Sequence, residues 1–187
     1  MPPEIYRLSV MWPFTPAHSS LDTLRATIES HLPTYERASA LCEAYLENLS
    51  WFHLAVTRQQ LLEELLPLVY HRNELTKSVK VHTRDLSLMY AVFACGASGD
   101  LTQRPDNQEG RLYYYLSRAT MGLNTNQCRG CLQAILTLSL LGLYHLFACP
   151  TSDSEESWKL HALGMGVAST VSCFLEQLIY LLKRFDQ

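Results

Sequence analysis

Two cysteines separated by two residues, Cys128 and Cys131, are the pair in this sequence best suited to chemistry. Such a pair holds half of a zinc site, or acts as a redox couple when one thiolate lies at a helix N-terminus. A zinc site needs two more ligands at matching spacing, and the remaining cysteines include no second close pair. A redox couple of this type follows a strand, which the sequence does not predict. We therefore expect two buried or half-buried thiols and no metal or cofactor in this chain.

Other arrangements that resemble catalytic motifs are incomplete. The 7 histidines stand alone, without the spacing that places two of them on one helix face. Gly96-Ala-Ser-Gly99 resembles the turn that carries a catalytic serine, but its second glycine comes one position too early. The tyrosines at 113–115 would point in three directions on a helix, which favours core packing over a base-stacking platform. We predict no catalytic residues and a protein that is not an enzyme.

Composition and charge indicate a folded chain with protein partners. Of the 187 residues, 48% are hydrophobic and 18% are charged, which is too apolar for a disordered segment. The formal net charge is −3, and no run of lysine or arginine provides a surface for a phosphate backbone. The N-terminus lacks the pattern of a secretion signal. These features predict an intracellular protein that contacts other proteins or itself, and not nucleic acid.

Apolar residues recur at helical spacing through most of the chain, which predicts an all-α fold of irregular bundle or array type. The proline-containing segment 1–20 is predicted to be a flexible arm, and 21–187 a helical domain. Helices are expected at 21–32, 35–49, 84–95 and 112–123 and over two regions after residue 131. Gly96 and Gly99 are predicted to end the third of these, with a loop from Gly99 to Gly110.

Local signals refine this arrangement. Thr57 and Gln60 have the spacing of a capping box, and Pro67 should kink or restart the helix that follows. We expect Trp51 and Phe52 to fill the core at the end of the 35–49 helix, and Trp158 to point inward from the final helical region. The apolar segment 132–149 is interrupted by polar residues and lacks the flanks of a membrane span, so we predict a buried helix.

Five sequence blocks, taken in order, resemble a known family. The first lies within 28–71 and matches at Leu32, Pro33, Glu36, Arg37, Ala38, Leu41, Cys42, Glu43, Tyr45, Leu46, Glu47, Ser50, Trp51 and Phe52. The others are Asp85 through Ala97 (DLSLMYAVFACGA), Tyr114 through Ala119 (YYLSRA), a block starting at Leu132 (LQAIL) and one starting at Ser157 (SWKLHALG). Together they resemble the fungal-specific transcription factor domain, the middle homology region of binuclear zinc cluster regulators, over about residues 24–170.

The resemblance implies a helical regulatory domain that acts in the nucleus through protein contacts or an effector response. The DNA-reading module of the family is a basic segment with six closely spaced cysteines that bind two zinc ions. No such segment occurs here, so zinc is expected only in that missing module. Residues 171–187 do not match the block that follows in the family. We therefore expect a truncated product or a divergent short relative, a fragment of a larger helical domain.

Two alternative functions remain open from the sequence. The chain could be a generic helical protein–protein interaction module, or a thiol redox enzyme that uses Cys128 and Cys131. If helices are missing after Thr170, apolar faces on the 132–149 helix and around Trp158 lose their cover. An apolar stripe within 171–185 could cover part of them. We therefore expect a homo-oligomer, a partner-bound subunit or a poorly soluble chain.

Overall fold

The computed structural model describes residues 2–12, 21–70, 81–123, 132–148 and 155–169. These residues form a multi-helix array without a β-strand among them, which confirms the all-α prediction. The helices are α1 (Pro3–Met11), α2 (Leu21–Glu29), α3 (Tyr35–Asn48), α4 (Leu66–Tyr70), α5 (Thr83–Gly99), α6 (Gln108–Gly122), α7 (Leu132–Ala148) and α8 (155–169). A π-helical segment, Gln60–Leu65, leads directly into α4.

Helix α5 forms the centre of the described fold. All of its residues from Leu86 to Gly99 are buried. Helices α3, α6 and α7 pack around it, and α1 packs against α6. A helix that is apolar on nearly every side requires this position, because each face must be covered. The hydroxyl of Tyr90 on α5 donates to the carbonyl oxygen of Ile28 at 2.7 Å, so this buried polar group is satisfied.

Helices α3 and α5 approach most closely at Gly96. A Cβ atom at this position would lie 2.1 Å from the carbonyl oxygen of Leu41, a distance that no side chain tolerates. Gly96 therefore allows close helix packing and does not end the helix. The prediction of a helix end at Gly96 is wrong, and α5 continues to Gly99.

Residues 3–11, within the segment predicted to be a flexible arm, form helix α1 instead. Pro3 begins the helix, where its missing N–H leaves no hydrogen bond unmade. Ile5, Leu8 and Trp12 are buried at positions that share one helix face. The prediction is wrong because it interprets the prolines as loop residues, whereas proline is also favoured in the first turn of a helix. The remainder of the predicted arm, 13–20, lies outside the described residues.

The predicted capping box is present, and the helix changes from π to α beside Pro67, where a kink or a restart is predicted. The Gln60 side chain accepts from the Thr57 backbone N–H at 3.2 Å, and the Gln60 N–H donates to the Thr57 hydroxyl at 3.3 Å. The next turns are π-helical, and the Leu66 N–H donates to the Leu61 carbonyl. Pro67 cannot donate to the carbonyl four residues before it, and its ring crowds that carbonyl. The wider π turns relieve this conflict before α4 begins.

Helix α6 begins earlier than predicted. The Asn107 side chain accepts from the Gly110 backbone N–H at 2.7 Å, so Asn107 caps a helix that starts at Gln108. The same side chain donates to the Ala97 carbonyl at 2.6 Å and joins this cap to the end of α5. The prediction of a loop as far as Gly110 is therefore wrong by about three residues, because the glycine occupies the first helical turn.

Helix α7 is largely buried, as predicted from its apolar sequence. Leu138, Leu140, Leu141 and Leu143 are each at most 2% exposed. Within the described ranges, no helix combines the length and apolar character that a membrane span requires.

Candidate functional site

The predicted cysteine pair, Cys128 and Cys131, lies outside the described residues. Among the residues that are described, no group of three or more potential ligands could hold a metal ion. Two described cysteines, Cys42 and Cys95, are fully buried. Burial raises the pKa of the Cys42 thiol to about 12 and raises the pKa of the Cys95 thiol as well. Because the thiolate is the reactive form, both groups are chemically inert at neutral pH.

Helices α6, α7 and α8 meet at a polar cluster formed by Tyr114, Arg118, His145 and Glu156, hereafter the Arg118 cluster. The Arg118 guanidinium donates through Nη1 to the Tyr114 hydroxyl at 2.7 Å and to Glu156 at 2.8 Å. The Nε2 atom of His145 lies 2.8 Å from the same hydroxyl. The guanidinium also lies 5.9 Å from the ring centre of Trp12, at the end of α1. Arg118 thus joins α6 to α8 and to the end of α1, and the Tyr114 hydroxyl links α7 to the same cluster.

Burial determines the protonation states in this cluster. Burial lowers the pKa of His145, with Arg118 acting in the same direction and Glu156 opposing it. It also raises the pKa of Tyr114 to about 12, although the arginine lowers it. At neutral pH the hydroxyl therefore keeps its proton and the imidazole is uncharged. The hydroxyl can accept from Arg118 and donate to Nε2, which places the imidazole proton on Nδ1.

Two nitrogen atoms of the Arg118 cluster have no hydrogen-bond partner. They are Nδ1 of His145 and Nε of Arg118, and both are buried. Unsatisfied buried groups cost stability. The satisfied contacts of the cluster are the charged pair of Arg118 and Glu156, which joins α6 to α8, and the Tyr114 hydroxyl, which links α6 to α7. Because burial raises the pKa of Tyr114, its hydroxyl is not an activated nucleophile, and the contacts of the cluster position the helices.

A cavity between α5, α6 and α7 is too small for an effector. It is lined in part by Thr83, Ser87 and Thr137, and its volume is ≈ 10 Å³. A volume of this size holds about one water molecule. It therefore cannot serve as a small-molecule site in this conformation.

An aromatic patch, defined by Trp51, Phe52 and Phe147, lies at the surface. Trp51 is 76% exposed and Phe52 is 53% exposed, so the prediction that they fill the core is wrong. The ring centres of Trp51 and Phe52 are 5.8 Å apart, and those of Phe52 and Phe147 are 5.6 Å apart. Leu54 is a further exposed apolar residue on the same loop. Adjacent exposed aromatic side chains of this kind often mark a protein contact site.

The core at this end of α3 is filled by Tyr45 instead. Tyr45 is fully buried, and its hydroxyl donates to the His53 carbonyl at 3.1 Å and accepts from the Ala55 N–H at 3.2 Å. The indole N–H of Trp51 donates to the Asn48 carbonyl at 2.7 Å, which caps the end of α3 from outside. Tyr45 and Trp51 are both residue types that often fill a core. The path of the loop after α3 decides that Tyr45 is buried and Trp51 is exposed.

The prediction that Trp158 points inward is also wrong. It is 70% exposed, whereas Leu160 on the same helix is 3% exposed. The buried face of α8 is set by Ser157, whose hydroxyl donates to the Gly142 carbonyl at 2.9 Å. Successive side chains of an α-helix are about 100° apart around the helix axis, so Trp158 points away from the contact that Ser157 makes. Its aromatic character alone could not reveal this orientation.

The Arg118 cluster could not be found from the sequence. Arg118 and Glu156 are 38 residues apart, and no local pattern links them. His145 was interpreted only as an isolated histidine.

Comparisons with known proteins give no match. No protein-family model matches the chain, and neither a curated protein nor a solved structure matches it.

Proposed function

We propose that this chain is the regulatory helical domain of a fungal transcription factor, and that it acts in the nucleus through protein contacts. The domain itself does not read DNA in this proposal. It is not an enzyme, and it needs no cofactor. The proposal depends on the resemblance of five sequence blocks, and the fold supports it by the way in which those blocks meet.

The observation that carries the proposal is the contact between the first and second blocks. Gly96 belongs to the second block, and a Cβ there would lie 2.1 Å from the carbonyl oxygen of Leu41 in the first. The second block therefore requires a glycine at this position, because the backbone of the first block lies directly against it. The two blocks are therefore in direct contact, as parts of one domain would be.

The later blocks also converge. Tyr114 and Arg118 belong to the third block, and His145 lies on the helix that the fourth block begins. Glu156, the residue before the fifth block, accepts from Arg118 at 2.8 Å. These contacts support interpretation of the blocks as parts of one domain.

A generic helical protein–protein interaction module is the second candidate. The aromatic patch favours it, because Trp51 and Phe52 are exposed without any requirement for a transcriptional role. This candidate shares the protein contact surface with the first and differs in the cellular process. A thiol redox enzyme would depend on Cys128 and Cys131, for which the described residues provide no support.

Tethering the chain to a DNA-binding domain of known sequence specificity tests the proposal. The fusion is expressed in a fungal cell with a reporter gene that carries the matching site. We expect the tethered chain to raise or lower reporter output, and the change to disappear when Trp51→Ala and Phe52→Ala remove the aromatic patch. Both side chains are exposed, so the fold should persist.

Leu101→Ala provides the matched control, since Leu101 is 87% exposed and lies outside the patch. It should leave the reporter response unchanged. A tethered chain without any effect on the reporter would contradict the transcriptional role. Retained binding to protein partners through the patch would then favour the generic interaction module.

A further inference from the structure

The outward face of α3 carries a line of carboxylates, hereafter the acidic stripe, formed by Glu36, Glu43 and Glu47. These positions recur at helical spacing, so they share one side of the helix. The buried residues of α3, among them Leu41 and Tyr45, lie on the opposite side, and α3 packs against α5. Glu36 and Glu47 are exposed, and Glu43 is half-buried. At 1.5 Å per residue, the stripe extends about 16 Å along the helix.

The charge of this surface is negative, because the arginines nearby already pair with carboxylates. Arg58 lies 2.6 Å from Glu43. Arg37 lies 2.6 Å from Glu109 and 3.3 Å from Asp100. Segment 34–66 contains 5 glutamates, and these 2 arginines are its only lysine or arginine residues. The surface therefore attracts cationic side chains and repels anionic partners, nucleic acid among them.

The acidic stripe ends beside the aromatic patch. Trp51 lies just beyond the last turn of α3, which carries the final carboxylate of the stripe. Its indole N–H donates to the Asn48 carbonyl at 2.7 Å, so the ring is held against the end of the helix. The contact of Phe52 with Phe147 extends the patch to α7, where the neighbouring Leu146 is 51% exposed. One continuous surface thus presents carboxylates along α3 and apolar rings at its end.

We propose that the acidic stripe and the aromatic patch together bind an amphipathic helix of another protein, which carries lysine or arginine along one face and large apolar residues at one end. The apolar residues cover the exposed rings and supply most of the affinity, while the cations pair with the carboxylates and fix the orientation. A second copy of this chain brings the same carboxylates, so it lacks the charge that the stripe requires. The inference rests on the protein-contact role proposed above and names the chemistry of the partner.

Fluorescence anisotropy of a labelled synthetic helix tests this partner chemistry. The peptide has about 20 residues and is built on alanine, with lysine at helical spacing in its first three turns and leucine and phenylalanine in its last two. We expect this lysine peptide to bind the chain, and the same peptide with glutamate at every lysine position not to bind. Binding should weaken as salt is added, because exposed charges are screened.

Charge substitutions locate the binding on α3. Glu36→Gln with Glu47→Gln removes two charges from the stripe, and we expect the affinity for the lysine peptide to fall about fivefold, since exposed ion pairs are individually weak. Glu4→Gln with Glu155→Gln makes the same change in net charge on α1 and α8, where both carboxylates are exposed. This control pair should leave the affinity unchanged.

Aromatic substitutions test the other end of the surface. Trp51→Ala with Phe52→Ala should lower the affinity about tenfold or more, because exposed aromatic anchors contribute most to such contacts. Trp158→Ala removes a ring that is 70% exposed on α8 and should have no effect. Circular dichroism of each variant, with unchanged helix content, shows that the altered affinity reports on binding.

Failure of the lysine peptide to bind, or equal binding of the glutamate peptide, would overturn the proposal. Equal losses from the two pairs of charge substitutions would also overturn it, because the attraction would then be general and not specific to α3. A dimer that the lysine peptide does not dissociate would assign the patch to a second copy. The reporter experiment remains separate: a chain that binds the peptide without changing reporter output contradicts only the transcriptional role, and an active fusion that does not bind it contradicts only this partner.

Discussion

Two glycines on helices of this fold occupy opposite environments. Gly96 faces the Leu41 carbonyl so closely that a Cβ atom would lie 2.1 Å from it, whereas a Cβ on Gly166 would meet nothing within 4 Å. Gly96→Ala should therefore lower the free energy of unfolding by about 2 kcal/mol or more, because backbone atoms must separate. Urea denaturation followed by circular dichroism measures this loss.

Gly166→Ala is the matched control for that substitution. Alanine favours helix over glycine, so Gly166→Ala should raise the free energy of unfolding by up to about 1 kcal/mol. Equal effects of the two substitutions would show that α3 and α5 do not meet at Gly96 as described.

His145 should make the stability of the fold depend on pH. Its pKa is lowered in the folded chain, mainly by burial, so the unfolded chain binds more protons just below the ordinary histidine pKa of 6.5. Stability must therefore rise with pH through this window, and fall as the pH decreases from 6.5 toward the folded-state pKa. Protonation would also prevent Tyr114 from donating to Nε2. Urea midpoints at about pH 5.5 and 7.5 should show the difference.

His145→Gln should make this pH dependence less steep, since glutamine does not titrate. His53 remains as a second source in the same direction, because burial followed by the charge of His161 lowers its pKa. The double variant with His53→Gln should therefore flatten the profile further. A profile unaffected by either substitution would show that neither imidazole is buried as described.

At the scale of elements, Arg118 and Glu156 form the charged contact that holds α8 on α6. Their side chains are 14% and 34% exposed. Glu156→Gln should lower the free energy of unfolding by about 1 kcal/mol, because charge-assisted bonds are strong but a third of this carboxylate is in water. Thermal unfolding of the two proteins under identical buffer conditions measures the loss.

Glu155→Gln is the natural control, one residue away, where the carboxylate pairs with exposed Lys159. It should leave stability unchanged, since a fully exposed pair is screened by water. A loss as large as that of Glu156→Gln would assign the effect to helix charge and not to the Arg118 cluster.

Sequence patterns predicted most of the helices because the spacing of apolar residues and the capping residues are local to each helix. The stripe of Leu41, Cys42 and Tyr45 repeats at helical spacing, and the capping box at Thr57 is a local signal. Contacts between helices have no such local signature. The burial of Arg118 against Glu156 depends on the path of two loops, and so does the exposure of Trp51. The failed predictions concern side-chain orientation, long-range pairing and positions where proline or glycine was interpreted as a break, as at Pro3 and Gly96. The all-α class and the positions of most helices could be derived.

At the scale of the whole molecule, exposed aromatic side chains should control association. Trp51→Ser with Phe52→Ser removes two exposed rings from the aromatic patch without touching the core. We expect the variant to associate less than the unchanged chain, because apolar surface drives contact between copies or with partners. Light scattering over a concentration series measures the change.

Leu101→Ser is the control for a general effect of surface polarity, since Leu101 is 87% exposed and lies on another loop. It should leave association unchanged. If the chain without substitutions stays monomeric at every concentration, the patch does not bind a second copy.

The burial of α5 from Leu86 to Gly99 has a consequence for synthesis on the ribosome. This helix ends at Gly99, but α7, which covers one of its sides, ends only at Ala148. At about 5–20 residues per second, roughly 2–10 s pass between the completion of the two. During that interval the central helix of the fold has been synthesised without its last neighbour. We therefore expect nascent chains stalled shortly after α5 to recruit chaperones, and chains stalled after α7 has emerged to release them.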